Sequence, residues 1–121
     1  MLKRLFVALI LGLVISSASM AFTSEIEVEM EQTFTIVLEE TIVHPVYTWR
    51  CSSYDRNFVI LEGIDSVVIQ GTPTLEKHFT FRAVQPGETE IKFSFDSIYP
   101  DPDTGEVTPL RGEVHHIIIG A

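Results

Sequence analysis

Cys51 is the only cysteine in the chain, and His44, His78, His115 and His116 are its only histidines. A catalytic thiol needs a base beside it and an electropositive, partly open setting. Cys51 instead alternates with Thr48 and Arg50 on the face that carries Tyr47 and Trp49, which places it as a buried, inert thiol. His115 and His116 are adjacent in an extended segment and point to opposite faces, so they cannot chelate one metal together. His44 and His78 fall in separate segments, and no ligand spacing links them. Asp101–Pro102–Asp103–Thr104–Gly105–Glu106 has the acidity of a calcium loop. It lacks a third ligand before the glycine, a distant bidentate Glu and flanking helices, and therefore reads as a tight Asp-Thr-Gly turn. No phosphate-binding glycine loop and no metal constellation are present, so the chain is expected to be a non-enzyme that uses no cofactor and no metal.

The elements that position these residues must fit in 121 residues, room for one domain. Hydrophobic residues make up 45% and charged residues only 21%, a balance that forms a core and excludes disorder. A net charge of −9 with only eight Lys and Arg excludes phosphate neutralisation, and with it nucleic-acid binding. One cysteine excludes an intramolecular disulfide framework.

Lys3 and Arg4 precede an apolar run over residues 5–15, and Ser19 and Ala21 stand at the −3 and −1 positions of a small-residue stretch. This is the layout of a cleaved secretory leader over residues 1–21, and the run is too short to span a bilayer. No cysteine directly follows it, so no lipid anchor is expected. The mature domain would be residues 22–121, with six basic residues against 17 acidic ones, exported to a periplasmic or extracellular address and repelled by anionic membranes.

Beyond residue 22 the hydrophobic pattern has a period of two, not 3.6. Ile26, Val28 and Met30 alternate with glutamates 25, 27, 29 and 31, the pattern of a charged edge strand. Phe34, Ile36 and Leu38 alternate with Thr33, Thr35 and Val37, and Tyr47, Trp49 and Cys51 follow on a third segment. Further strands are expected over residues 58–60, 66–70, 78–83, 90–95 and 113–119, with a turn at Gln85–Pro86–Gly87. The fold class is all-β: an immunoglobulin-like antiparallel β-sandwich of about seven to eight strands, with Trp49 as its large core residue.

In that order of strands, three connections fall at one end, where such folds usually carry binding. The first, residues 41–46, contains Ile42, Val43, His44, Pro45 and Val46, apolar where exposed turns favour polar residues. The second, residues 71–75, contains Gly71, Thr72, Pro73 and Thr74; the third, residues 97–112, begins Ser97, Ile98, Tyr99, Pro100. The first loop either caps the core or stands out as an apolar ridge for a partner.

Residues 31–95 resemble the chagasin family, immunoglobulin-like inhibitors of papain-like cysteine peptidases. The resemblance lies in Gln32-Thr33-Phe34-Thr35-Ile36-Val37-Leu38, Tyr47-Thr48-Trp49, Phe58-Val59-Ile60, Gly71, Lys77-His78-Phe79-Thr80-Phe81-Arg82-Ala83, Pro86-Gly87 and Ile91-Lys92-Phe93-Ser94-Phe95. In that family the three loops form a wedge that fills the peptidase cleft, with the first loop against the catalytic cysteine. The loops here differ from the family pattern: Ile42–Val46 replaces Asn-Pro-Thr-Thr-Gly, Gly71-Thr72-Pro73-Thr74 replaces Gly-x-Gly-Gly, and Ser97-Ile98-Tyr99 replaces Arg-Pro-Trp.

The resemblance implies an exported, monomeric inhibitor that occludes a papain-like peptidase reversibly by loop insertion, with the three loop segments as its partner-binding residues. The rival reading is an adhesion or assembly module of the cell envelope, whose contact surface would be the acidic strand at residues 25–31.

Overall fold

The computed structural model describes residues 9–11, 22–43 and 45–121; His44 and residues 1–8 and 12–21 lie outside the described residues. Eight strands follow in chain order: β1 Leu9–Leu11, β2 Phe22–Glu29, β3 Thr33–Thr41, β4 Tyr47–Tyr54, β5 Val59–Val68, β6 Thr74–Ala83, β7 Gly87–Ser97 and β8 Pro109–Gly120. They form two four-stranded sheets, β1-β3-β6-β5 and β2-β8-β7-β4. No helix occurs among the described residues, and the architecture is the expected all-β immunoglobulin-like sandwich.

Alternating side chains from the two sheets meet in the middle. Phe34, Ile36, Leu38, Val59, Phe79 and Phe81 come from one sheet; Ile26, Val28, Trp49, Ile91, Phe93, Ile117 and Ile119 come from the other. Phe93 is the hinge of this packing, edge-on to Phe79 at 4.8 Å and to Phe81 at 6.4 Å across the layer. Such aromatic pairs add to the area they bury, and the domain has no disulfide to supplement them.

Several expectations are corrected. The two segments expected at 58–60 and 66–70 are parts of one ten-residue strand, β5 Val59–Val68, continuous through a register shift between Leu61 and Gly63, with Phe58, Ile69 and Gln70 outside it. A bulge adds a residue without ending the strand, so one strand reads in sequence as two short ones. The sandwich is not wholly antiparallel: β2 pairs parallel with β8, and β1 with β3. Alternation specifies faces, not strand direction, and no tight turn joins either pair. Met30 is exposed in the turn after β2, and Val37 is fully buried although it faces away from Ile36, beside the pairing with β1. The second loop keeps its expected length but lies two residues earlier, over residues 69–73, because β5 ends at Val68 and Thr74 and Leu75 already belong to β6. The third is shorter than expected, since Ser97 ends β7 and β8 begins at Pro109.

β2 is an edge strand, and its outward residues Glu25, Glu27 and Glu29 are exposed, a charged border that discourages further pairing. At the turn before β7, Gly87 has φ of 136°, and a Cβ there would lie 2.8 Å from Phe58 Cε1. Glycine is required at that point on both counts.

The core face of β8 also carries polar residues. Glu113 and His115 are buried, with Glu113 Oε1 3.3 Å from His115 Nε2, and His115 Nδ1 bonds Ser24 Oγ on β2. His115 stands edge-on to Phe93 at 5.5 Å. The network joins β2 to the body of its sheet from inside the core. Removing one member of a buried polar pair costs far more than removing an exposed one. Glu113→Ala is therefore expected to destabilise the domain by about 3 kcal/mol. Glu62→Ala, which removes only the exposed pair with Arg82 at 3.2 Å, should cost no more than about 1 kcal/mol. Urea unfolding of the two variants measures the difference.

Candidate functional site

The loop end begins where β3 gives way to residues 42–46. Thr41 Oγ1 accepts from Val43 N at 3.2 Å and lies 3.3 Å from Pro73 O, to which it donates. Ile42 N donates to the same Pro73 O at 2.9 Å, so the first loop is fastened to the second. On its far side, Val46 O accepts from Ile98 N at 2.8 Å, fastening it to the third. The three loops named from the sequence are therefore one continuous surface.

Its side chains face outward. Val43 is 54% exposed and Tyr99 67%; Ile42, Pro45, Val46, Ile98 and Pro100 are exposed as well. This is the protruding arrangement, not the core cap. His44 lies outside the described residues. Gly71, Thr72 and Pro73 are exposed at the tip of the β5–β6 hairpin, whereas Thr74 and Ser97 are strand residues, half-buried below the tip. Two apolar residues of the third connection that sequence reading did not single out, Val107 and Leu110, are also exposed.

Side chains hold each loop in shape. In the second, Thr72 Oγ1 donates to Ile69 O at 2.8 Å and accepts from Thr74 N at 3.2 Å. Only Gly71, at φ 79°, needs the left-handed region, so this turn closes with a single glycine. In the third, Ser97 Oγ bonds both Tyr99 N, at 3.2 Å, and Tyr99 O, at 3.0 Å. Asp101 Oδ1 accepts from Asp103 N at 2.8 Å and Thr104 N at 3.1 Å, and Gly105 at φ 71° donates back to Asp101 O. The acidic stretch is thus the tight turn read from its sequence, with the Asp101 carboxylate closing it.

Beneath the loops, a polar clamp ties the sheets together. Trp49 Nε1 donates to Glu39 O at 2.9 Å. Lys77 reaches across from β6 to Trp49 O at 2.9 Å and Thr48 Oγ1 at 3.2 Å, with Glu40 Oε1 at 3.9 Å. Thr48 Oγ1 donates to Glu40 Oε1 at 3.2 Å. The Arg111 guanidinium lies over Phe95 at 4.5 Å and Trp49 at 5.4 Å. Sequence reading missed both cations, although the signal was there: Lys77 alternates in phase with Phe79 and Phe81, and Arg111 with Ile117 and Ile119.

Three solved structures share this arrangement of strands. The cysteine protease inhibitor EhICP2 from Entamoeba histolytica superposes with a TM-score of 0.62 at 15% identity, over 84% of this chain and 96% of that one. PbICP-C, solved in complex with falcipain-2, gives 0.60 at 13% identity over 92% and 98%. Amebosin gives 0.56 at 14% identity over 86% and 99%. The chain has the chagasin-like fold. No protein-family profile matches the sequence, and no curated protein matches it. The likeness is thus one of chain path, as the resemblance in the framework residues implied, and it does not extend to close sequence kinship. EhICP2 is an inhibitor rather than an enzyme, and PbICP-C has a peptidase partner.

Cys51 lies half-buried on β4, opposite Phe93 in register. Burial pushes its thiol from 9.0 up to about 11, with a hydrogen bond from the Ser53 backbone pulling the other way. A thiol shifted by that much carries roughly a hundredfold less thiolate at pH 8. Iodoacetamide is expected to label Cys51 in the native domain roughly a hundredfold more slowly than in the urea-unfolded chain. Because the folded pKa lies above the unfolded one, the thiol's contribution to stability is constant below pH 9 and is lost as pH rises towards 11.

Proposed function

We propose that the chain is an exported, non-enzymatic inhibitor of papain-like cysteine peptidases, and that it acts reversibly by inserting its loop end into the active-site cleft. The observation that carries this reading is the pair of backbone bonds, Ile42 to Pro73 and Ile98 to Val46, that joins three exposed loops into one apolar ridge. Two structures with the same fold support it, one an inhibitor of cysteine proteases and one held by falcipain-2. The leader-like residues 1–21 support export to the periplasm or beyond the cell.

The physical case rests on shape and preorganisation. A cleft-filling contact of standard size buries about 800 Å² on each partner, with apolar anchors at its centre and a polar rim. Ile42, Val43 and Val46 offer the apolar centre and Tyr99 an aromatic anchor beside it. Inter-loop bonds, Pro45 and the serine and threonine turns fix the backbone beforehand, so little conformational entropy is lost on binding.

Titration of the domain against a panel of papain-like peptidases is expected to give inhibition by at least one member. The Ile42→Ala, Val43→Ala, Tyr99→Ala variant, altered only at exposed positions, should keep its unfolding midpoint and weaken inhibition at least about a hundredfold. Equal inhibition by the variant would show that the ridge is not the contact.

A further inference from the structure

We propose that Arg111 is a carboxylate-binding residue, set in the cleft directly below the loop ridge to take an acidic side chain of the bound partner. The cleft has a volume of about 250 Å³ and lies between the two sheets at their loop end. One wall is the end of β3 with Pro73 and Thr74; the other is Phe95 with Arg111. Pro73 belongs to both features: it lines the cleft and accepts the bond from Ile42. A partner seated on the ridge therefore covers the cleft mouth.

The guanidinium is held but not neutralised. It lies 4.5 Å from the Phe95 ring and 5.4 Å from Trp49, and no carboxylate of the described residues stands within ion-pair distance of it. The two acidic residues of the cleft are otherwise disposed. Glu40 holds Thr48 and Lys77. Glu39 contributes its carbonyl, bonded by Trp49, while strand alternation and its register with Glu76 put its side chain on the other face of the sheet. A guanidinium lying on aromatic faces keeps its in-plane N–H fork available, and that fork matches a carboxylate with two parallel bonds. In a chain with 17 acidic residues against eight basic ones, a stacked arginine without an acidic partner is set aside for a charge from outside.

The proposal rests on the peptidase reading for the source of the carboxylate, and two arms separate the claims. Trp49 is the only tryptophan, so its fluorescence reports the stacked arginine directly. Titrating the full chain with succinate at constant ionic strength is expected to give a saturable change that chloride does not give and that Arg111→Met abolishes. A response absent, or equal in Arg111→Met, overturns the site. In peptidase inhibition, Arg111→Met should raise the inhibition constant at least about tenfold, and Arg111→Lys should recover only part of it. Arg82→Met, the same charge change at the exposed pair with Glu62, should have little effect. A succinate response with unchanged inhibition assigns the site to a free carboxylate and overturns the partner contact. Failure of the native chain to inhibit removes the peptidase reading, and the succinate arm then decides Arg111 alone.

Discussion

The reach of Lys77 from one sheet to the backbone of Trp49 on the other is the contact on which the loop end depends. A sandwich is sealed in its middle by apolar packing, but at its ends the sheets diverge and the layer must close with something that tolerates water. Here Lys77 does so with its ammonium on Trp49 O and Thr48 Oγ1, while the Trp49 indole returns a bond to Glu39 O. Two of these three bonds, to Trp49 O and Glu39 O, end on backbone carbonyls, so they fix the strands and not only the side chains. β3 and β4 are thereby held at a set separation, and the loop of residues 42–46 spans that gap. The exposed ridge is steady because its two footings are.

The same economy of polar groups recurs deeper. His115 and Glu113 lie within the layer with Ser24, where a hydrocarbon of equal volume would pack without a desolvation cost. What the network adds is direction: it matches β2 to one register of β8. A parallel edge strand has no hairpin to fix its register, and a slip by one residue would turn Ile26 and Val28 outward. With no disulfide available, register has to come from such pairings.

Much of this was legible in the chain. Alternation placed Phe34, Ile36, Phe79, Phe81, Phe93 and Trp49 on the core faces, and the edge position of the glutamate-bearing strand followed from its charge. The three loops were drawn to one end, but the first ran one residue too long, the second lay two residues late and the third ran five too long, because strand ends are set by pairing partners that the local sequence does not name. The bulge in β5, the parallel pairing of β2 and the burial of Val37 were not legible: each depends on a neighbour distant in sequence. The inward Lys77, Arg111, Glu113 and His115 were legible in phase but contrary in polarity, and tertiary context overrode the usual expectation that charge faces water. Polar residues out of place on a core face marked the features on which the site rests.

The loop end thus combines an apolar ridge, a rigid footing and a ring-stacked arginine with no carboxylate beside it among the described residues, on a fold shared with an inhibitor of cysteine proteases. The most direct measurement is binding of the chain to a papain-like peptidase, compared with the same enzyme whose cleft is filled by a peptidyl label on the active-site cysteine. Insertion of the ridge into the cleft predicts tight binding to the open enzyme and none to the filled one. Equal binding to both would place the contact elsewhere and contradict the account.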